Sequence, residues 1–175
     1  MLGRPVMVMK STHARNQDGG FTTMQIRAAK TADGPHVLHL VSTILSSEFP
    51  ADQAAYAIED LQKLHETYKG PNSTFLVAEE DGRIVGTCGI KAESPQTAIL
   101  RRLFVDPGYR GKGVGKDLLD AALLFCRAQH FREIVIRTST RMDKAIALCR
   151  SKGFEEEGRW TLGDVTLIRF RMRLS

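Results

Sequence analysis

The residues with the clearest chemical meaning are six in a row, Arg110-Gly111-Lys112-Gly113-Val114-Gly115. An apolar stretch, Leu103-Phe104-Val105, comes shortly before them, and an amphipathic helical pattern begins within them. At a helix N-terminus the first amide N–H groups have no intrahelical partner, and the helix dipole adds partial positive charge. Glycines let a bulky anion approach the backbone and permit unusual dihedrals. Together these features make a cradle for a phosphate, to which Arg110, Lys112 and Lys116 add formal charge. Spacing excludes two other phosphate-binding loops. A P-loop requires Gly, four residues, then Gly-Lys-Ser/Thr. Aligned on Gly115-Lys116, it meets Arg110 at the first glycine and Asp117 at the hydroxyl position. The dinucleotide pattern Gly-x-Gly-x-x-Gly meets Lys116 at its last position.

The elements around this loop must hold it in place. Met24–Ala28 reads as a strand. Thr31-Ala32-Asp33 offers capping residues for a helix whose Val37, Leu40, Val41, Ile44 and Leu45 share one face. A second helix is expected over Asp52–Tyr68, with Tyr56, Ile58, Leu61 and Leu64 as its apolar members. Phe75–Glu80 and Ile84–Lys91 read as strands joined at Asp81-Gly82, a hairpin signal. Ala98–Val105 is a third strand of this run, and Asp106-Pro107-Gly108 a turn. Gly113–Ala128 reads as a helix, Glu133–Arg137 as a strand, and Met142–Ser151 as a short helix ended by Gly153. In the last strand, Val165–Leu174, apolar residues alternate with Arg169, Arg171 and Arg173. This order gives an α/β domain with a mixed sheet, and a right-handed parallel crossover from Ala98 to Arg137.

Bulk properties narrow the function. The 175 residues, 42% hydrophobic, fit one globular domain. A net charge of +5 favours approach of an anion but includes no dense Lys/Arg tract, so nucleic acid is not an expected partner. No apolar run approaches the about 20 residues that span a bilayer, so no membrane partner is expected. Cys88, Cys126 and Cys149 form no Cys-x-x-Cys pair, so no metal is expected, and free thiols point to the cytoplasm. Residues 1–23, polar over 11–23 with Gly19-Gly20, read as a disordered extension ahead of a single domain at 24–175.

The loop now resembles something known. In the GNAT superfamily the coenzyme A loop reads Gln/Arg-x-x-Gly-x-Gly/Ala, and Arg110, Gly113 and Gly115 fill its fixed positions. The preceding Arg102-Leu103-Phe104-Val105-Asp106-Pro107 is similar to the family's fourth strand and its exit. Ala145 to Phe154 resembles the segment Ala-x-x-Leu-Tyr-x-x-x-Gly-Phe, and Ile26 to Asp33 the opening strand and helix. The resemblance covers about residues 24 to 174. It implies a mixed, mostly antiparallel central sheet flanked by helices, with the parallel crossover at the cofactor site. It also implies an acetyl-CoA cofactor, its pyrophosphate on Arg110, Gly111, Lys112, Gly113, Val114, Gly115 and Lys116, and its pantetheine arm along Leu103, Phe104 and Val105.

The implied activity is transfer of an acetyl group to a primary amine of a small molecule or amino acid, by direct attack of the amine. The usual catalytic positions depart from the family. The strand Glu is replaced by Ile99, the general-acid Tyr by Cys149, and a common Asn by Met142. A Cys149 thiol, with an ordinary pKa of about 8.5, can protonate a leaving thiolate; the competing reading is a small hydrophobe on a core face. Glu93 is the candidate base, with Glu79 and Glu80 as neighbours to weigh and each open to being a solvated strand residue. Glu155-Glu156-Glu157 reads as a solvated charge run and Trp160 as a core residue. The departures also suit a domain that senses acyl-CoA without transfer, and a protein N-acetyltransferase is a third reading. Dimers are common in this fold, so a homodimer is a further expectation.

Overall fold

The computed structural model describes residues 9–15, 19 and 21–175. Among the described residues eight strands form one sheet: β1 (Met9–Arg15), β2 (Phe21–Ala28), β3 (Thr74–Glu80), β4 (Arg83–Ala92), β5 (Thr97–Val105), β6 (Glu133–Ser139), β7 (Glu155–Leu162) and β8 (Val165–Arg173). Their spatial order is β1-β2-β3-β4-β5-β6-β8-β7. Every neighbouring pair is antiparallel except β5 with β6. That parallel pair needs a crossover, supplied by α4 (Val114–Ala128). The mixed, mostly antiparallel sheet and the crossover are as expected.

Two layers cover the sheet. On one face α4 and α5 (Asp143–Ser151) pack Leu118, Ala122, Cys126, Ile146 and Cys149 onto Ala98, Leu100, Ile134, Ile136, Ile168 and Phe170. On the other, α1 (Gly34–Glu48) lays Val37, Val41, Ile44 and Leu45 over Phe75, Val77, Ile84 and Phe104. Asp81 and Gly82 both have positive φ, 50° and 77°, as the tight β3–β4 hairpin demands.

Three expectations require correction. The second helix is not continuous. A 3₁₀ turn at Pro50–Ala55 is followed by two single-turn pieces, α2 (Glu59–Gln62) and α3 (Leu64–Thr67). Within this stretch Asp60 is bound by Arg102, and the Tyr56 hydroxyl accepts from the Ser139 N–H. Residues 9–15, expected in the extension, form β1, while 1–8, 16–18 and 20 lie outside the described residues. Glu155–Leu162 is the strand β7, with Trp160 38% exposed rather than in the core. Both strands lie at sheet edges, where backbone pairing holds a polar sequence that lacks an apolar alternation.

Between Thr87↔Phe104 and Gly89↔Arg101 the register slips, so β5 carries a bulge at Arg102 and Leu103. Arg102 sits there at φ 58°, its carbonyl accepting from the Thr87 hydroxyl at 2.7 Å. The bulge reverses the strand's alternation. Ala98 and Leu100 face α4, but Phe104 belongs to the α1 layer. The Arg102 guanidinium, 3% exposed, meets Asp60 at 2.5 Å.

Candidate active site

A cleft of about 500 Å³ opens at the C-terminal end of β5. Leu103, Phe104 and Val105 line it from the strand, Arg110, Gly111, Gly113, Val114, Gly115 and Lys116 from the loop and start of α4, and Ile44, Glu48 and Phe49 from the end of α1. Arg141 to Ala145 and Leu148 close the far side. The structure therefore gathers into one hollow every expected cofactor residue except Lys112, which stays exposed beside it. A larger hollow, 650 Å³, lies between the start of α1 and α2–α3, and no expected site residue lines it.

The loop has the geometry of an anion cradle. Gly111 and Gly113 have φ of 75° and 83°, a region L side chains rarely adopt. The bond from the Asp117 N–H to the Gly113 carbonyl, 2.9 Å, starts the helical ladder. The amides of Val114, Gly115 and Lys116 thus have no partner within α4. A Cβ at Gly115 would meet Val105 and Leu148 at 3.6 Å, so strand, loop and α5 already stand close there.

The loop's cations are less available than their number implies. The Arg110 guanidinium is paired with both Glu48 oxygens, at 2.5 and 2.7 Å, and also donates to the Val105 carbonyl. That pairing holds the Glu48 carboxyl below the usual carboxylate range. Lys116 is paired with Asp120 at 3.0 Å. Lys112 has its ammonium over the Tyr109 ring, 5.1 Å from the centroid. The anion attraction expected of Arg110 and Lys116 therefore falls largely to the amides and Lys112.

At the same place the sheet parts. β5 and β6 pair from Thr97↔Glu133 to Leu100↔Ile136 and no further. Beyond that point the Ser139 N–H of β6 donates to the Tyr56 hydroxyl at 2.9 Å. Tyr56 thus keeps its own proton to donate, and burial pushes its pKa up to about 12. Nearby, Asp52 is fully buried, with one carboxylate oxygen on Arg141 at 2.5 Å and the other without a hydrogen-bond partner among the described residues. Sequence reasoning missed Asp52, Arg141 and this role of Tyr56. The helical spacing presents Tyr56 as an apolar helix member, and nothing in the sequence pairs it with Ser139.

The two catalytic candidates do not reach the cleft. Cys149 is 1% exposed within the α4–α5 core, where burial pushes its thiol up to about 12. Its surroundings are those of a small hydrophobe. We expect Cys149→Ala and Cys149→Ser to keep near-full transfer activity in a thiol-release assay. The Ser variant should lose more stability, about 1–3 kcal/mol, because it buries a hydroxyl. A large loss of kcat in both, with intact folding, would restore a catalytic role. Glu93 follows β4, at the opposite end of β5 from Leu103–Val105. Its carboxylate is bound by Arg169 at 2.6 and 2.8 Å and by Arg137 at 3.0 Å, which hold it below the usual range and make it a poor base. Glu79 is tied to Arg27 at 2.8 Å.

Residues 38–154 match the model of the acetyltransferase (GNAT) family. The chain belongs to that family. Members of the GNAT family are acetyl-CoA-dependent acyltransferases acting on amine acceptors, so the fold's cofactor is acetyl-CoA. Among curated relatives, the chain is 27% identical over 144 residues to a mouse protein, probable N-acetyltransferase family 8 member 5, covering 79% of this chain and 63% of that one. It spans 37% to 63% of the length of the first three such relatives. A GNAT acetyltransferase from Staphylococcus aureus superposes with a TM-score of 0.79 at 24% identity, over 87% of this chain and 99% of that one. yncA from Salmonella typhimurium, solved with its cofactor acetyl-CoA, superposes with a TM-score of 0.69 at 21% identity, over 87% and 94%. Among the described residues no helix is long and apolar enough to cross a membrane.

Proposed function

We propose that this GNAT chain transfers an acetyl group from acetyl-CoA directly to a primary amine of a small molecule or amino acid. The reading rests on one observation: the unpaired amides at the start of α4 open onto the same cleft as the stretch of β5 that has parted from β6. Acetyl-CoA supplies an acyl group already activated as a thioester. The amides from Gly111 to Lys116 hold its pyrophosphate. The backbone of Leu103–Val105, no longer bonded to β6, aligns its amide-bearing arm and offers an N–H to the carbonyl oxygen. One such donor contributes about 3 kcal/mol to the barrier, and orientation of the two reactants supplies much of the rest.

A second reading, a sensor that binds acyl-CoA without transfer, is favoured by the burial of Cys149 and the pairing of Glu93. Calorimetry with acetyl-CoA, followed by thiol release across an amine panel, separates the two. We expect binding and turnover; binding with no turnover across the panel selects the sensor. A cytoplasmic location and a homodimer belong to the same proposal. The three cysteines are free and buried, which suits a reducing compartment. The edge strand β7, with Trp160 and Leu162 at the surface, is the face that favours self-association.

A further inference from the structure

The face of β4, β5, β6 and β8 that α4 does not cover is rich in basic side chains, and most have a carboxylate partner. Arg102 is paired with Asp60, Arg137 and Arg169 with Glu93, and Arg171 with Glu133 and Glu157. The side chains of Arg101 and Lys91 make no hydrogen bond or ion pair with any described residue. The carboxylate that feels Arg101, Asp60, is already bound by Arg102 and by the Tyr68 hydroxyl.

The fold fixes where these two cations lie. Arg101 pairs with Gly89, whose Cβ position is filled by the Tyr68 ring at 2.7 Å. Both residues therefore face the α2–α3 side. Lys91, two residues along the same face of β4, has its ammonium 6.0 Å from the centroid of that ring. The two cations are thus diagonal neighbours on either side of a position with no side chain. Arg101 is also the first residue of β5 after the strand leaves β6, two residues before Leu103 at the cleft. Both cations are half-buried, which strengthens a charge-assisted bond relative to open water.

We propose that Arg101, with Lys91 beside it, binds a carboxylate of the acceptor, so that the amine acetylated here is an amino acid or another amine bearing a carboxylate. This rests on the transferase reading above. The planar guanidinium matches a carboxylate through two parallel hydrogen bonds. The ammonium adds charge without a directional demand.

The test compares free amino acids with their carboxamides, using acetyl-CoA turnover and, independently, calorimetry on the protein loaded with coenzyme A. Wild type should prefer the free acid in both. Arg101→Gln should raise KM for the acid roughly 10- to 100-fold with a much smaller change in kcat, bringing acid and amide together, and Arg101→Lys should restore part of the gap. The Arg101 side chain makes no hydrogen bond or ion pair with a described residue, so little change in melting temperature is expected for the Gln variant. Equal use of acid and amide by wild type, an unchanged ratio in Arg101→Gln, a preference for phosphorylated amines, or no binding of either ligand overturns the inference. Transfer that ignores the carboxylate leaves the transferase reading standing and removes this one. Acid-selective binding through Arg101 without turnover does the reverse.

Discussion

In Gly115→Asp, coenzyme A affinity falls by roughly a hundredfold or more, about 3 kcal/mol, while the fold persists. Gly115 is the informative glycine because it does not have a positive φ, and an added Cβ would meet Val105 and Leu148 only at ordinary distance. The backbone can therefore take a side chain without strain. The carboxylate would stand among the amides of Val114, Gly115 and Lys116, where a diphosphate is expected, so like charges would meet in a partly enclosed cleft. At Gly113, by contrast, φ is 83°, and a substitution there mixes lost binding with backbone strain. Calorimetry with coenzyme A and a thermal melt on the same sample check the result. Unchanged affinity in a folded Gly115→Asp protein would remove the loop from the cofactor site.

The second large effect is on stability. Asp60→Ala should cost about 3–5 kcal/mol, because it strands the Arg102 guanidinium at 3% exposure and frees the Tyr68 hydroxyl. Replacing both partners by apolar side chains should recover much of that loss, since no lone charge remains buried. Urea denaturation of the single and double variants measures both. If the single variant costs less than 1 kcal/mol, the pair does not hold α2 to β5. The pair also makes an acid signature. Burial pushes the Asp60 carboxyl up, but Arg102 and Tyr68 outweigh it and leave it below the ordinary carboxylate range. Its contribution is complete above the unfolded value, about 3.9, and is lost as pH falls through the lower folded value.

The parts of the fold that showed in the sequence are those governed by burial. α1 buries all five residues its spacing predicted, and β8 alternates as its arginines imply. The loop was legible because glycines at positive φ and an amphipathic start leave a local mark. Three kinds of feature left none. The strands β1 and β7 are held by backbone pairing at edges, which demands no apolar pattern. The bulge at Arg102 depends on register between two strands, and no residue in β5 is a glycine to announce it. The parting of β5 and β6, and with it the bond from Ser139 to Tyr56, joins residues 83 apart in sequence. The catalytic candidates fell for a related reason. Cys149 draws notice through the residue type the family carries at its position, and Glu93 through its nearness to a central strand. Neither criterion contains the partner that settles the matter, a packed core for the first and Arg169 for the second.

A single inserted residue changes the parity of β5. Upstream, odd positions such as Ile99 and Arg101 address the layer of α1 and α2; downstream, that layer is addressed by an even position, Phe104, and the odd ones turn to α4. Within five residues one strand thus delivers two adjacent guanidiniums to one compartment and two aliphatic side chains, Leu103 and Val105, to the other. A regular strand would have turned Arg102 toward the oily interior under α4. The irregularity is what allows a polar chamber and an apolar wall to share one short length of chain.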